Sequence, residues 1–165
     1  TPIKSSAASD VYKRQVTEVL LRELLEESSY IAKASCPADA VAGWSDAVIL
    51  SEDEHLFAKR ALLDAYAKVC KSLSAYLSDA LPLCPADRGF DFILSLPCKR
   101  MKGVDAILEH HIDRALVTHV LSIWFLNRLP EQAVLQAQIH ESTLSELKGD
   151  LLRCGERPRR IYRWF

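Results

Sequence analysis

The stretch "VDAILEHHIDRALVTHVLSIWFLN", residues 104–127, decides the fold that this sequence predicts. Its apolar residues recur at helical spacing, and between Ala115 and Leu126 it is apolar nearly all round. A helix that is apolar on every side must also be covered on every side. We therefore predict a central helix that lies in the core of the fold or at a seam between subunits. The residues expected in that core or seam are His119, Ile123, Trp124 and Phe125.

Three further helices are predicted around this central one. Apolar residues at helical spacing indicate a helix over residues 16–34, and Pro130 suits the first turn of another over residues 130–152. Between them, Ser51 is followed three residues later by Glu54, the spacing of a capping box. The apolar pattern beyond this cap predicts an amphipathic helix of roughly seven turns.

The segment "FDFILSL", residues 90–96, partly alternates apolar and polar residues and predicts one β-strand. A lone strand needs a partner, and we consider residues 47–50 or the edge of a neighbouring subunit. The predicted fold is therefore mostly α: a four-helix bundle-like domain with one or two short β-strands and an extended C-terminal arm.

The composition is that of one globular domain. The chain has 165 residues, of which 49% are hydrophobic and 26% charged, with a formal net charge of −1. Residues 153–165 carry five arginines and one glutamate, a net charge of +4, which leaves −5 for the rest. The five cysteines are dispersed without a CxxC pair, which favours reduced thiols. No apolar run is long enough to span a bilayer, so no membrane partner is expected.

Near the start of the chain, "SSAASDVYKRQ", residues 5–15, has almost no apolar anchors. It closely resembles the read-through translation of sequencing-adapter DNA that contaminates many metagenome-derived sequences. The resemblance implies that residues 1–15 are a non-native leader, and it suggests an environmental source. The expected organisation is this leader, a helical domain over residues 16–154 and an arm over residues 155–165.

The segment "EHHIDRALVTH", residues 109–119, is the first candidate for chemistry. Neighbouring helical residues diverge by about 100°, so its acids and histidines do not converge as metal ligands must. We expect Glu109, His110 and Asp113 at the surface, and His119 in the core or an interface with a hydrogen bond. A Cys–His nucleophile pair stays open, but no phosphate loop or nucleophile elbow is present. No catalytic residue, metal or cofactor is expected, and the protein is not expected to be an enzyme.

The C-terminal arm has the most unusual composition in the chain. Its arginines alternate with large apolar residues, which suits an arm that docks on a partner through aromatic and arginine anchors. A second interpretation is that the same arginines bind a phosphate backbone, and a third is that the arm folds back onto the chain's own core. The predicted partner-binding residues are Arg157, Arg159, Arg160, Ile161, Tyr162, Arg163, Trp164 and Phe165.

Two long segments carry a family resemblance. "LSEDEHLFAKRALLDAYAKVCKSLSAYL", residues 50–77, joins an acidic cap to a long helix, and "ILEHHIDRALVTHVLSIWFLNRLPEQA", residues 107–133, ends in an aromatic-rich turn. Together they resemble the small helical head–tail connector, or adaptor, proteins of long-tailed bacteriophages. They are similar in particular to hypothetical prophage proteins of gut Bacteroidetes. The shared features are the acidic helix start at 51–54, the tryptophan-containing helix at 123–125 and the Pro-Arg segment at 158–160.

This resemblance implies an architectural function in the virion. Copies would form a homo-oligomeric ring between the portal protein and the tail, around the DNA channel, with the arm inserted into the portal or an adjacent subunit. Such a position would allow non-specific contact with channel DNA. Two alternative functions remain as hypotheses. One is a small helical DNA-binding regulator that uses the basic tail, and the other is a small helical enzyme that uses His110, His111 or His119.

Overall fold

A computed structural model describes residues 8–77, 89–97 and 103–153 of the chain. The prediction of a mostly α, four-helix bundle-like fold is confirmed. The four long helices are joined by one short helix and by a two-stranded antiparallel sheet. The elements are β1 (Ala8–Val16), α1 (Thr17–Ala34), α2 (Trp44–Val48), α3 (His55–Ser72), β2 (Gly89–Pro97), α4 (Val104–Phe125) and α5 (Pro130–Arg153).

Helix α4 is the centre of the fold. It packs against α1, α3 and α5, and every residue from Ala115 to Leu121 is buried. A continuous buried run of this length has no solvent-facing side, as the sequence predicted for a helix that is apolar all round. Its neighbours contribute one buried stripe each, so the core forms around α4.

Helix α3 begins as its acidic start predicts. A short 3₁₀ turn, Glu52–Glu54, precedes it, and the Ser51 backbone N–H donates a hydrogen bond of 3.0 Å to a Glu54 carboxylate oxygen. The prediction of roughly seven turns is wrong, because α3 ends at Ser72. The chain then turns, and the Tyr76 carbonyl oxygen accepts a hydrogen bond from the backbone N–H of Ser95 in β2.

The predicted strand is β2, and its partner is β1. The two strands pair antiparallel, with Ala8 opposite Pro97 and Val16 opposite Gly89. Of the two candidate partners considered, residues 47–50 do not pair with β2, since Trp44–Val48 forms α2, and pairing with a neighbouring subunit stays a prediction. A residue beside β2 also helps to fix it: the Tyr66 hydroxyl of α3 donates a hydrogen bond of 2.9 Å to the Asp91 carbonyl oxygen.

Strand β1 overlaps the predicted non-native leader at residues 8–15. The structure therefore builds part of this leader into the sheet. Backbone pairing does not depend on where a segment came from, so its non-native origin stays a prediction. The predicted arm, residues 155–165, lies outside the described residues.

Candidate interaction site

The residues predicted for a core or an oligomer seam lie in the chain's own core. His119, Trp124 and Phe125 are buried, and Ile123 is half-buried against the same cluster. The indole N–H of Trp124 donates a hydrogen bond of 2.7 Å to the Val48 carbonyl oxygen. This bond joins the end of α4 to α2, so Trp124 holds two elements together as well as filling space.

Arg128, just beyond α4, completes this junction. Its guanidinium lies 3.4 Å from the centroid of the Trp124 ring, and its Nε donates a hydrogen bond of 3.2 Å to the Ala47 carbonyl oxygen. It also forms an ion pair of 3.7 Å with Glu54, at the start of α3. The aromatic-rich turn at the end of α4 is thus a structural joint between α2, α3 and α4.

A pair of buried histidines lies on the opposite side of α4 from α1. The rings of His119 and His140 of α5 have centroids 4.9 Å apart, and His140 Nδ1 donates a hydrogen bond of 2.9 Å to the Ala115 carbonyl oxygen. The hydrogen bond expected of His119 is not made by its buried Nε2, which has no partner among the described residues. Burial, followed by the charge of Lys68 and the His140 ring, lowers the pKa of His119 to about 4. Burial also lowers the pKa of His140.

An acidic groove runs between α1 and α4. It consists of two cavities of about 270 and 440 Å³ that meet at Glu26, Glu27 and Arg114. Among the described residues, the only cationic side chain of fixed charge that lines them is Arg114, which forms an ion pair with Glu27. The further lining residues are Glu23, His110, Asp113 and Val117 in the smaller cavity, and Tyr30, Ile31 and Gln136 in the larger.

The carboxyl groups of this groove are crowded. Burial, followed by the negative charges of Glu23 and Glu109, raises the pKa of Asp113 to about 7. Burial and then the neighbouring Glu27 raise the pKa of Glu23 above its usual value. The described lining residues therefore carry more negative charge than Arg114 compensates, and an added cation would lower the cost of ionising these acids.

A third cavity of about 480 Å³ lies between α4 and α5. His111 lines it and stands 3.8 Å from Glu146 and 3.3 Å from Asp150. Consecutive histidines on α4 therefore serve different sides: His110 lines the acidic groove beside α1, and His111 contacts α5. This divergence agrees with the helical geometry that argued against a shared metal site.

Sequence reasoning placed Asp113 at the surface and did not single out Glu23, Glu26, Glu27 or His140. The three acids of α1 follow the three- and four-residue spacing of one helix face, which was a visible signal. What the sequence did not show is that this face is turned toward Asp113. That juxtaposition depends on how α1 packs on α4, and a solvated acidic face has the same pattern.

Within residues 8–77, 89–97 and 103–153, no group of three or more His, Cys, Asp or Glu side chains is arranged to hold a metal ion. Cys36 and Cys70 are free thiols there, and Cys70 packs against the core. None of the described helices is both long and apolar enough to cross a bilayer. Comparisons of the chain with protein-family models, with curated proteins and with solved structures find no match.

Proposed function

We propose that the chain is a structural subunit that assembles with copies of itself, as a head–tail connector of a long-tailed bacteriophage. In this role the copies form a ring between the portal protein and the tail, around the DNA channel, and the protein is located in the virion. The helical body supplies the contacts between neighbours, and the arm at residues 155–165 binds the portal or an adjacent subunit.

The observation that carries the proposal is the outward face of α3. The inward face of this helix is buried in the core through Ala58, Leu62 and Ala65. Its outward face nevertheless carries Leu56 and Leu63, which are 64% and 44% exposed and lie two helical turns apart. A helix with large apolar side chains on both faces favours a second packing partner.

The resemblance to connector proteins supports the more specific part of the proposal. It rests on the acidic start of α3, the tryptophan-containing end of α4 and the Pro-Arg segment of the arm. The first two form one structural joint through the Arg128–Glu54 ion pair and the Trp124–Val48 hydrogen bond. Ring assembly needs such rigidity, because a contact that repeats around a closed ring must keep a constant angle.

The mass of the protein in solution, measured alone and with a portal protein, tests the proposal. We expect one closed oligomer that binds the portal, and we expect deletion of residues 155–165 to weaken either ring assembly or portal binding. A variant with Leu56→Glu and Leu63→Glu should dissociate toward monomers. Ala106→Glu, an exposed position of α4, is the control and should leave the oligomer unchanged.

A strictly monomeric protein that ignores the portal would overturn the proposal. An oligomer that tolerates both leucine substitutions would remove α3 from the interface. Assembly and portal binding that are unaffected by deletion of residues 155–165 would reject the role given to the arm.

A further inference from the structure

We propose that the acidic groove between α1 and α4 is the binding site for the basic and aromatic segment, residues 155–165, of a second copy of this chain. This inference rests on the proposed self-assembly and names one of its contacts. The groove, its charge and its unpaired polar group come from the described residues.

The charge of the groove is complementary to that of residues 155–165. The groove collects the carboxyl groups of Glu23, Glu26, Glu27 and Asp113, while Arg114 in its lining already forms an ion pair with Glu27. Burial, followed by the neighbouring carboxylates, raises the pKa of Glu23 and of Asp113. Arginines that enter the groove would form charge-assisted hydrogen bonds with these carboxylates. The terminal segment supplies four arginines: Arg157, Arg159, Arg160 and Arg163.

The groove also contains a buried polar side chain whose oxygen atom lacks a hydrogen-bond partner among the described residues. Gln136 lines the larger cavity, is only 4% exposed, and has an Oε1 atom without a hydrogen-bond partner among the described residues. A buried amide oxygen without a partner costs free energy, so this part of the groove favours an occupant that can donate a hydrogen bond. Guanidinium groups and peptide N–H groups both do so.

Apolar groups beside Gln136 match the rest of the segment. Tyr30, 76% exposed, and the half-buried Ile31 line the same cavity. The segment alternates its arginines with four large apolar residues, so one extended peptide can offer a cation to one part of the groove and an aromatic ring to the other. Its apolar residues are Ile161, Tyr162, Trp164 and Phe165.

The arrangement suits a peptide from another copy. The groove acids are spread along two helices, and a ligand with several separated positive charges matches them better than one compact ion does. Helix α5 lines the larger cavity through Gln136, but its C-terminal end, which leads into the segment, lies at a different side of α4, where Asp150 contacts His111. A groove on one copy that takes a tail from the next is a heterologous contact, the type that closes into rings.

The test uses full-length chains with complementary defects. One variant, Glu26→Lys, reverses an exposed charge in the groove and keeps the segment intact. The other, Arg159→Glu with Arg160→Glu, reverses the segment and keeps the groove intact. Glu18→Lys is the matched control, because it makes the same change at an exposed position of α1 outside the groove. Sedimentation gives the self-association constant of each chain, and circular dichroism confirms folding.

We expect each defective chain to self-associate at least tenfold more weakly than the unmodified chain, and Glu18→Lys to match it. An equimolar mixture of the two defective chains should form heterodimers, since it again contains one intact groove and one intact segment. Raised salt should weaken this association. If Glu26→Lys assembles normally, the inference fails and the proposed self-assembly stands. If the mixture gives no heterodimer, the segment binds within its own chain or elsewhere, and the inference also fails. If the unmodified chain stays monomeric up to about 100 μM, both proposals fail.

Discussion

Ionisable groups are partly or fully buried on both sides of α4, but their pKa values shift in opposite directions. Toward α3 and α5, burial lowers the pKa of His119 to about 4, so this base stays neutral. Toward α1, burial raises the pKa of Asp113 to about 7, so this acid tends to hold its proton. In both places the cost of burying a charge dominates. His119 and His140 are buried among the chain's own helices, whereas the acids line an open groove.

The side with the histidines (the closed side) is packed by the chain's own helices, whereas the side with the acids (the open side) would gain from a bound partner. The closed side derives its stability from apolar contact and should suffer most from lost volume or from acid. The open side has modest ion pairs and excess negative charge, so its own substitutions should cost little or even stabilise. Three substitutions and one change of pH test this difference between the two sides, and the largest expected effect comes first.

Loss of volume on the closed side should have the largest effect. Leu116 is fully buried in α4, and Leu116→Ala should lower the free energy of unfolding by about 2–5 kcal/mol through lost transfer energy and the cavity left behind. Denaturant unfolding measures the change. The control is Ile107→Ala, at a position of α4 that is 48% exposed, which should cost well under half as much. Equal losses at both positions would contradict a closed core around α4.

Acidification should destabilise the closed side. The folded pKa of His119 lies below its ordinary value of 6.5, so the unfolded chain binds more protons below that pH. Stability contributed by neutral His119 is present above about pH 6.5 and is lost as the pH falls toward about 4, by an amount on the order of 2–3 kcal/mol.

Unfolding curves between pH 7.5 and 4.5 measure this loss, and the comparison of interest is with His119→Gln, which carries no titratable ring. The variant should lose less stability on acidification than the unmodified chain. The charged groups that act on His119 besides His140 are Lys68 and Asp64, both on α3, and they remain in place in the variant. Parallel pH curves for the two proteins would show that His119 does not cause the loss.

Removal of the Arg114 charge from the groove should have a smaller effect. Arg114→Gln breaks the ion pair with Glu27 and leaves the neighbouring acids uncompensated, which should cost about 1 kcal/mol at low salt. Because the pair is partly exposed, 1 M salt should remove most of this difference. Arg60→Gln, at an exposed position of α3, is the control. A loss that does not change with salt would mean that Arg114 acts through packing rather than charge.

Neutralising an acid in the groove should have the smallest effect, with the opposite sign. A raised acid pKa means that ionising Asp113 opposes folding, so Asp113→Asn should stabilise by about 0.5–1 kcal/mol above pH 7. The gain should shrink as the pH falls from 7 toward the unfolded value of 3.8, and it should vanish below about pH 3, where the acid is protonated in both states. Thermal unfolding at several pH values measures it, with the exposed Asp39→Asn as control. Destabilisation at pH 8 would show that the Asp113 carboxylate is needed where it stands.

Local patterns in the sequence predicted much of the fold. The continuous apolar run of α4 required a central position, and Ser51 with Glu54 marked the start of α3 within a few residues. Alternation indicated β2 as well. Its partner was missed because strand pairing depends on segments that are distant in the sequence, and the polar β1 has no apolar pattern of its own.

The candidate site was less accessible from the sequence for the same reason. His119 was expected in the core, but His140 was not singled out, because only the packing of α5 on α4 brings the two rings together. The acids of α1 have the spacing of an ordinary solvated face. Their significance comes from Asp113, which is about 90 residues away in the chain and lies across the groove.

The pairing of β1 with β2 has a consequence for how the chain is made. Val16 meets Gly89, so α1, α2 and α3 all lie inside one long loop that this sheet closes. Contacts between such distant segments form slowly, because the loop-closure entropy is lost before the pairing energy is gained. In any chain translated with residues 8–16, β1 must therefore wait on the ribosome with an unpaired edge until β2 has been synthesised. That interval is when the nascent chain is most exposed to strand exchange with another copy.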